Sequence, residues 1–193
     1  MKILKEEELN KEFVSFWDAM EFAGIQGNYN QSSLKAVLST SAAGTNEDSG
    51  LAYPGALLVH INLVTNIAQR LAKMVSGTFK IDLQSLTKVC LLQHLSKTAM
   101  FTINDNEWEV KNRGMNYKFT ELEGRLKSGE RSIMYAMQNN IHFSALEYEA
   151  MVCLDRENEA AGAKFFDSPM TLIVRQANEM ATMIAREKAK INK

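Results

Sequence analysis

Two imidazoles carry most of the chemistry this chain could do. His60 lies in Tyr53-Pro54-Gly55-Ala56-Leu57-Leu58-Val59-His60, and His94 in Val89-Cys90-Leu91-Leu92-Gln93-His94-Leu95-Ser96-Lys97. Both stand in apolar runs, where neutral imidazole is a good ligand for zinc or nickel. A cation held there would acidify a bound water and clamp a phosphoryl oxygen, which is metal-assisted phosphoester chemistry. That chemistry also needs anionic ligands, yet the neighbouring candidates are neutral amides: Gln93 beside His94, and Asn178 in Ala177-Asn178-Glu179-Met180. His60 and His94 alone fall two short of a closed tetrahedral set, so a rearranged site would have to recruit Asn178 or Asp155. The competing reading is structural, with both rings buried and hydrogen-bonded to each other or to Gln93 and Asn178. The third histidine, His142, follows Asn139-Asn140-Ile141 in a turn and is expected at the surface.

Helices must position these groups, because Pro54 and Pro169 are the two prolines in 193 residues. Leu9, Phe13, Phe16, Trp17 and Met20 recur at helical spacing and predict a first helix over 5–23, ended by Gly24. Residues 26–50 are polar and predict a long loop holding a short helix near Ser33–Leu38. From Gly55 to Met74 the pattern is amphipathic, with Pro54 in the first turn and Gly77 as the stop. A helix opening at Ile81 or Asp82 and running to about Met100 is apolar nearly all round, which places it centrally. Phe101-Thr102-Ile103 and Trp108-Glu109-Val110 flank Asn104-Asp105-Asn106 and predict a β-hairpin. Helices resume at Glu130–Asn140 and at Ser144–Arg156, the latter opened by the capping pair Ser144 and Glu147. The last helix runs from Ser168-Pro169 to about Lys190, with Leu172, Ile173, Ala177, Met180 and Ile184 on one face.

The chain can bury one sizeable core, since 46% of its residues are hydrophobic, and one domain over 1–193 is expected. A net charge of −1 advertises no polyanionic partner, so nucleic acid and membrane surfaces are not expected. No apolar run approaches the roughly 20 residues that span a bilayer, and Met1-Lys2-Ile3-Leu4-Lys5-Glu6 does not read as a signal peptide. Cys90 and Cys153 form no Cys-x-x-Cys pair and read as buried free thiols. The cytoplasm is the expected compartment, in a bacterium or a phage-infected cell. No glycine-rich phosphate loop and no Gly-x-Ser-x-Gly elbow is present.

The motifs, in this order and context, resemble the bacterial HD-domain metal-dependent phosphohydrolases. His60 matches that family's first histidine, although Ala56 replaces a usual glycine and Val59 an acidic neighbour. Where the family has Leu-Leu-His-Asp-Leu-x-Lys, this chain has Gln93 for the histidine and His94 for the aspartate, and it keeps Lys97. Asn178 takes the place of the distal aspartate. Lys127-Ser128-Gly129-Glu130-Arg131-Ser132 is similar to a Gly-His-Gly-Glu-Lys-Ser segment, with Ser128 in the histidine's place. A later Trp-His segment falls near Leu154-Asp155-Arg156, without a histidine. The resemblance covers residues 39–185.

The resemblance implies an all-α, HD-domain-like helical bundle with a small hairpin inserted after the central helix. It also implies that His60, Gln93, His94, Ser128 and Asn178 are vestigial, so that no catalytic residue, metal or other cofactor is expected. The leading expectation is a catalytically inactive homologue that binds a phosphorylated small molecule or a protein partner. Lys97 and Arg131, with Arg125 and Lys127, would rim such a pocket. The interleaved Glu121, Glu123 and Glu130 support a solvated charged face instead. An active alternative would hold manganese, zinc, nickel or magnesium through His60 and His94 and hydrolyse nucleotides or nucleic acid. A third reading is a structural, homo-oligomeric assembly protein, with Phe13, Phe16 and Trp17 as the apolar patch.

Overall fold

The computed structural model describes residues 4–152 and 168–191. Cys153 and the Leu154-Asp155-Arg156 segment lie outside the described residues, as does the end of the helix expected to reach Arg156. The described chain is mostly helical, with one two-stranded antiparallel sheet. None of the described helices is long and apolar enough to cross a membrane.

Helix α1, Glu6–Phe22, starts where the Glu8 carboxylate accepts the Lys5 amide at 3.1 Å. Helix α2, Gln31–Thr40, is capped by Asn30, whose side chain accepts the Ser33 amide at 2.9 Å. A loop then leads to α3, Ala56–Met74. Gly55 caps α3 at φ 81°, a left-handed conformation natural to glycine. Pro54 therefore precedes the helix instead of lying in its first turn, because the backbone must swing through Gly55 first.

Helix α3 is the axis of the fold and packs against α1 and against the later helices α4, Leu83–Leu92, and α9, Pro169–Ile191. Its buried residues Leu57, Ile61, Val64 and Ala68 recur every three or four positions, the spacing of one helical face. They meet Leu86, Val89 and Cys90 of α4 and Ile173, Val174, Ala177 and Ala181 of α9 in one continuous core. Phe13 and Phe16 of α1 are 3% and 1% exposed, so they belong to that core and offer no apolar patch. Trp17 is partly buried against the same cluster. The Asn62 side chain ties α3 to α1 by donating to the Glu12 carbonyl at 2.8 Å and the Glu12 carboxylate at 2.6 Å.

Two expectations about the middle of the chain need correction. Helix α4 begins at Asp82, whose carboxylate accepts the Gln84 amide, but it stops at Leu92 instead of reaching Met100. Beyond it the chain tightens into three-residue turns. The amides of Leu95, Lys97, Thr98 and Ala99 bond the carbonyls of Leu92, His94, Leu95 and Ser96, and a short helix α5, Lys97–Met100, follows. The expected hairpin partner is also different. Trp108, Glu109 and Val110 lie in helix α6, Glu107–Arg113, which Asn106 caps and Gly114 ends at φ 63°. Strand β1, Phe101–Ile103, pairs instead with β2, Tyr117–Phe119. Short-range alternation pointed to a strand, and the Asn106 cap with the Gly114 stop outweighed it.

Helix α7, Ser128–Gln138, and helix α8, Ala145–Val152, close the bundle beside α4 and α9. The capping pair ahead of α8 forms as expected: Glu147 accepts the Ser144 amide at 2.7 Å, and Ser144 Oγ accepts the Glu147 amide at 3.3 Å. Lys88 of α4 reaches Glu147 at 2.9 Å, an ion pair with both side chains largely buried.

Candidate functional site

The end of α4, the following turn, and the facing sides of α3 and α9 bring His60, Gln93, His94 and Asn178 together. They wall a cavity of about 660 Å³ that Lys97, Ser128, Arg175 and Arg186 also line. Gln93 is 1% exposed and His94 half-buried, and both line the cavity.

Ser132 of α7, fully buried, staples the turn after α4. Its hydroxyl accepts the Ser96 amide at 2.9 Å and donates to the Gln93 carbonyl at 2.9 Å, satisfying backbone groups that the end of α4 leaves over. Ser128 shares a 2.7 Å hydrogen bond with the Ser96 hydroxyl.

The polar side chains form a chain whose direction two backbone carbonyls dictate. Val174 O can only accept, so the Asn178 amide nitrogen faces it at 2.9 Å. The same nitrogen donates to Gln93 Oε1 at 2.8 Å. Gln93 in turn points its own nitrogen at the Cys90 carbonyl, 3.4 Å away. Asn178 Oδ1 is thereby left to accept, and it lies 2.7 Å from His94 Nε2. His94 must therefore carry its proton on Nε2.

Both rings are neutral at ordinary pH. Burial, helped by the Lys97 ammonium, pushes His60 down to about 3. His94 is held well below its usual value by burial first, then by Lys97 and His60, against the opposing pull of the Asn178 hydrogen bond. The rings sit 5.1 Å apart between centroids and tilted by 42°, in contact without a hydrogen bond between them. His60 is 3% exposed, and its Nδ1 is buried without a hydrogen-bond partner among the described residues.

His94 Nε2 is spent as a donor to Asn178, both amides are engaged, and positions 93, 94 and 178 carry no carboxylate. Among the described residues no three His, Cys, Asp or Glu side chains group closely enough to hold a metal ion. What the arrangement offers is a polar, neutral floor under cations. Lys97 lines the cavity. Arg131 does not: it is 6% exposed, lies outside the cavity lining, and donates to the carbonyls of Glu123 at 2.8 Å and Gly124 at 3.3 Å. It pins the loop before α7, which is the structural use of a buried guanidinium. Arg125 and Lys127 are exposed and also lie outside the lining, and His142 is exposed as expected.

Arg175 and Arg186 take the place expected for Arg131. A signal for them existed in the sequence. Positions 175, 178, 179, 182 and 186 recur at helical spacing, so they share the face of α9 that carries Asn178. No protein-family model, curated protein or solved structure matches this chain.

Proposed function

We propose that this chain is an HD-domain-like scaffold without metal chemistry that binds a phosphorylated small molecule in the larger cavity. The supporting observation is the His94–Asn178–Gln93 chain, in which neutral groups satisfy one another where an HD-type site needs anionic ligands. Lys97, Arg175 and Arg186 stand around that floor, and exposed Glu179 is the one carboxylate in the lining among the described residues. Guanidinium and ammonium groups at the rim of a pocket recognise phosphate through charge-assisted hydrogen bonds. The cavity volume of about 660 Å³ falls in the range of small-molecule sites, about 300–1,000 Å³.

Calorimetric titration with phenyl phosphate and with inorganic phosphate tests the reading. Saturable binding is expected, weakened about 10- to 100-fold in Lys97→Ala and in Arg186→Ala, the worth of one charged hydrogen bond. Absence of saturable binding overturns it. So does stoichiometric transition metal in the purified protein together with phosphoester hydrolysis that His94→Ala abolishes.

A further inference from the structure

A second cavity, of about 210 Å³, lies on the other side of His60, between the loop 44–53 and the C-terminal half of α9. Leu51, Tyr53, Leu63, Ile184 and Ala185 give it a mainly apolar wall. Glu47 and Lys188, of opposite charge, also line it, and two neutral groups of the lining carry a buried nitrogen that has no hydrogen-bond partner among the described residues: Nδ2 of Asn116 and Nδ1 of His60. Such a nitrogen forfeits its hydration on folding, a cost that natural proteins rarely leave uncompensated. The volume corresponds to about seven waters at their share of liquid volume, enough for a small ring.

The wall is held in place by backbone contact. Gly50 adopts φ 68°, and a β-carbon there would collide with the Ala185 carbonyl of α9. The loop is tied down further by the Ala43 amide on the Leu51 carbonyl at 3.0 Å and by the Tyr117 amide on the Thr45 carbonyl at 3.1 Å. The cavity is thus preformed, the condition under which little binding energy is lost to ordering.

We infer that this cavity is a binding site for a small uncharged ring compound bearing an amide or lactam. Asn116 Nδ2 donates to its carbonyl. The His60 ring, neutral and part of the wall, accepts from its N–H. The apolar wall covers the ring. A net charge on the guest is disfavoured, because the wall is mainly apolar and its two charged groups, Glu47 and Lys188, are of opposite sign. The inference does not rest on phosphate binding in the larger cavity.

Benzamide is the probe, with toluene as its apolar counterpart. Benzamide is expected to raise the melting temperature saturably and to shift the side-chain amide signals of Asn116 in a ¹H–¹⁵N spectrum, which phosphate leaves in place. Asn116→Leu is expected to weaken benzamide at least about tenfold, one hydrogen bond's worth, and to leave toluene unaffected. Ala189→Phe, which fills the cavity from α9, is expected to remove both responses, with Leu63→Phe as the replacement should that variant not fold. Benzamide binding that survives these substitutions unchanged, or no saturable binding with the Asn116 signals unmoved, overturns the inference.

Discussion

Acidification should destabilise this protein through His60, well above the pH at which carboxylates titrate. The ring is 3% exposed and its proton affinity falls from an ordinary 6.5 to about 3 on folding. The unfolded chain therefore binds a proton that the folded chain refuses, and stability falls with pH between those two values. Sign and size follow from linkage: above 6.5 neither state is protonated and nothing is lost, and below about 3 both are and the loss levels off. Between about pH 7.5 and about pH 5 the unfolded state gains about 2 kcal/mol from this one group. Water in the adjoining cavity screens part of that, so about 2 kcal/mol is the upper end. Urea unfolding of the wild type and of His60→Gln at both pH values isolates the effect. His94 shifts in the same direction but is present in both proteins. The variant is expected to lose about 1–2 kcal/mol less than the wild type on acidification. Equal losses, or an imidazole titration for His60 near 6.5 by NMR, would refute the reasoning.

Three further outcomes test the site and its supports. Ser132→Ala orphans the Ser96 amide and the Gln93 carbonyl, and a loss of about 2–4 kcal/mol is expected by urea denaturation. Lys88→Met leaves Glu147 buried and unpaired and is expected to cost about 3–5 kcal/mol, whereas K88M/E147L recovers most of it. A double variant as unstable as the single one would contradict that account. On the HD-domain reading, the triple substitution Q93H/H94D/N178D places HD-type ligands beside His60, so stoichiometric manganese or nickel is expected by elemental analysis of the variant. Metal content no higher than in the wild type would count against the HD-domain reading.

Much of the helical frame was legible from spacing alone. Buried positions recur from Ala56 to Ala72 in α3 and from Met170 to Ala181 in α9, and long periodic segments of that kind leave little room for another reading. The capping pair Ser144 and Glu147 also stood in plain view. Junctions were less legible. Nothing in the apolar run from Val89 to Leu95 reports that α4 stops at Leu92, because the partner that stabilises the stop, Ser132, lies far along the chain. The strand pairing failed for a related reason: Phe101–Ile103 finds its partner beyond an intervening helix, and local alternation does not see across it. At the site, His60, Gln93, His94 and Asn178 were expected together, and the structure brings them together. The mutual satisfaction of His94 and Asn178 was one of two readings open from the sequence. Arg131 matched a motif but its guanidinium is consumed by carbonyls, a fate that depends on how the preceding loop returns. Arg175 and Arg186 were visible only as a stripe on α9, which acquires meaning once the opposite wall is known.

The two carbonyls that orient the Asn178 and Gln93 amides belong to different helices, Cys90 to α4 and Val174 to α9. The polar floor of the larger cavity is thus a rivet through two structural members, not an ornament on either. A guest that takes the Nε2 proton of His94 for itself must turn the Asn178 amide, and that amide cannot turn without releasing Gln93. Occupancy and the grip of α4 on α9 are consequently one variable, so a ligand engaging this imidazole would announce itself in the exchange of amide hydrogens along both helices.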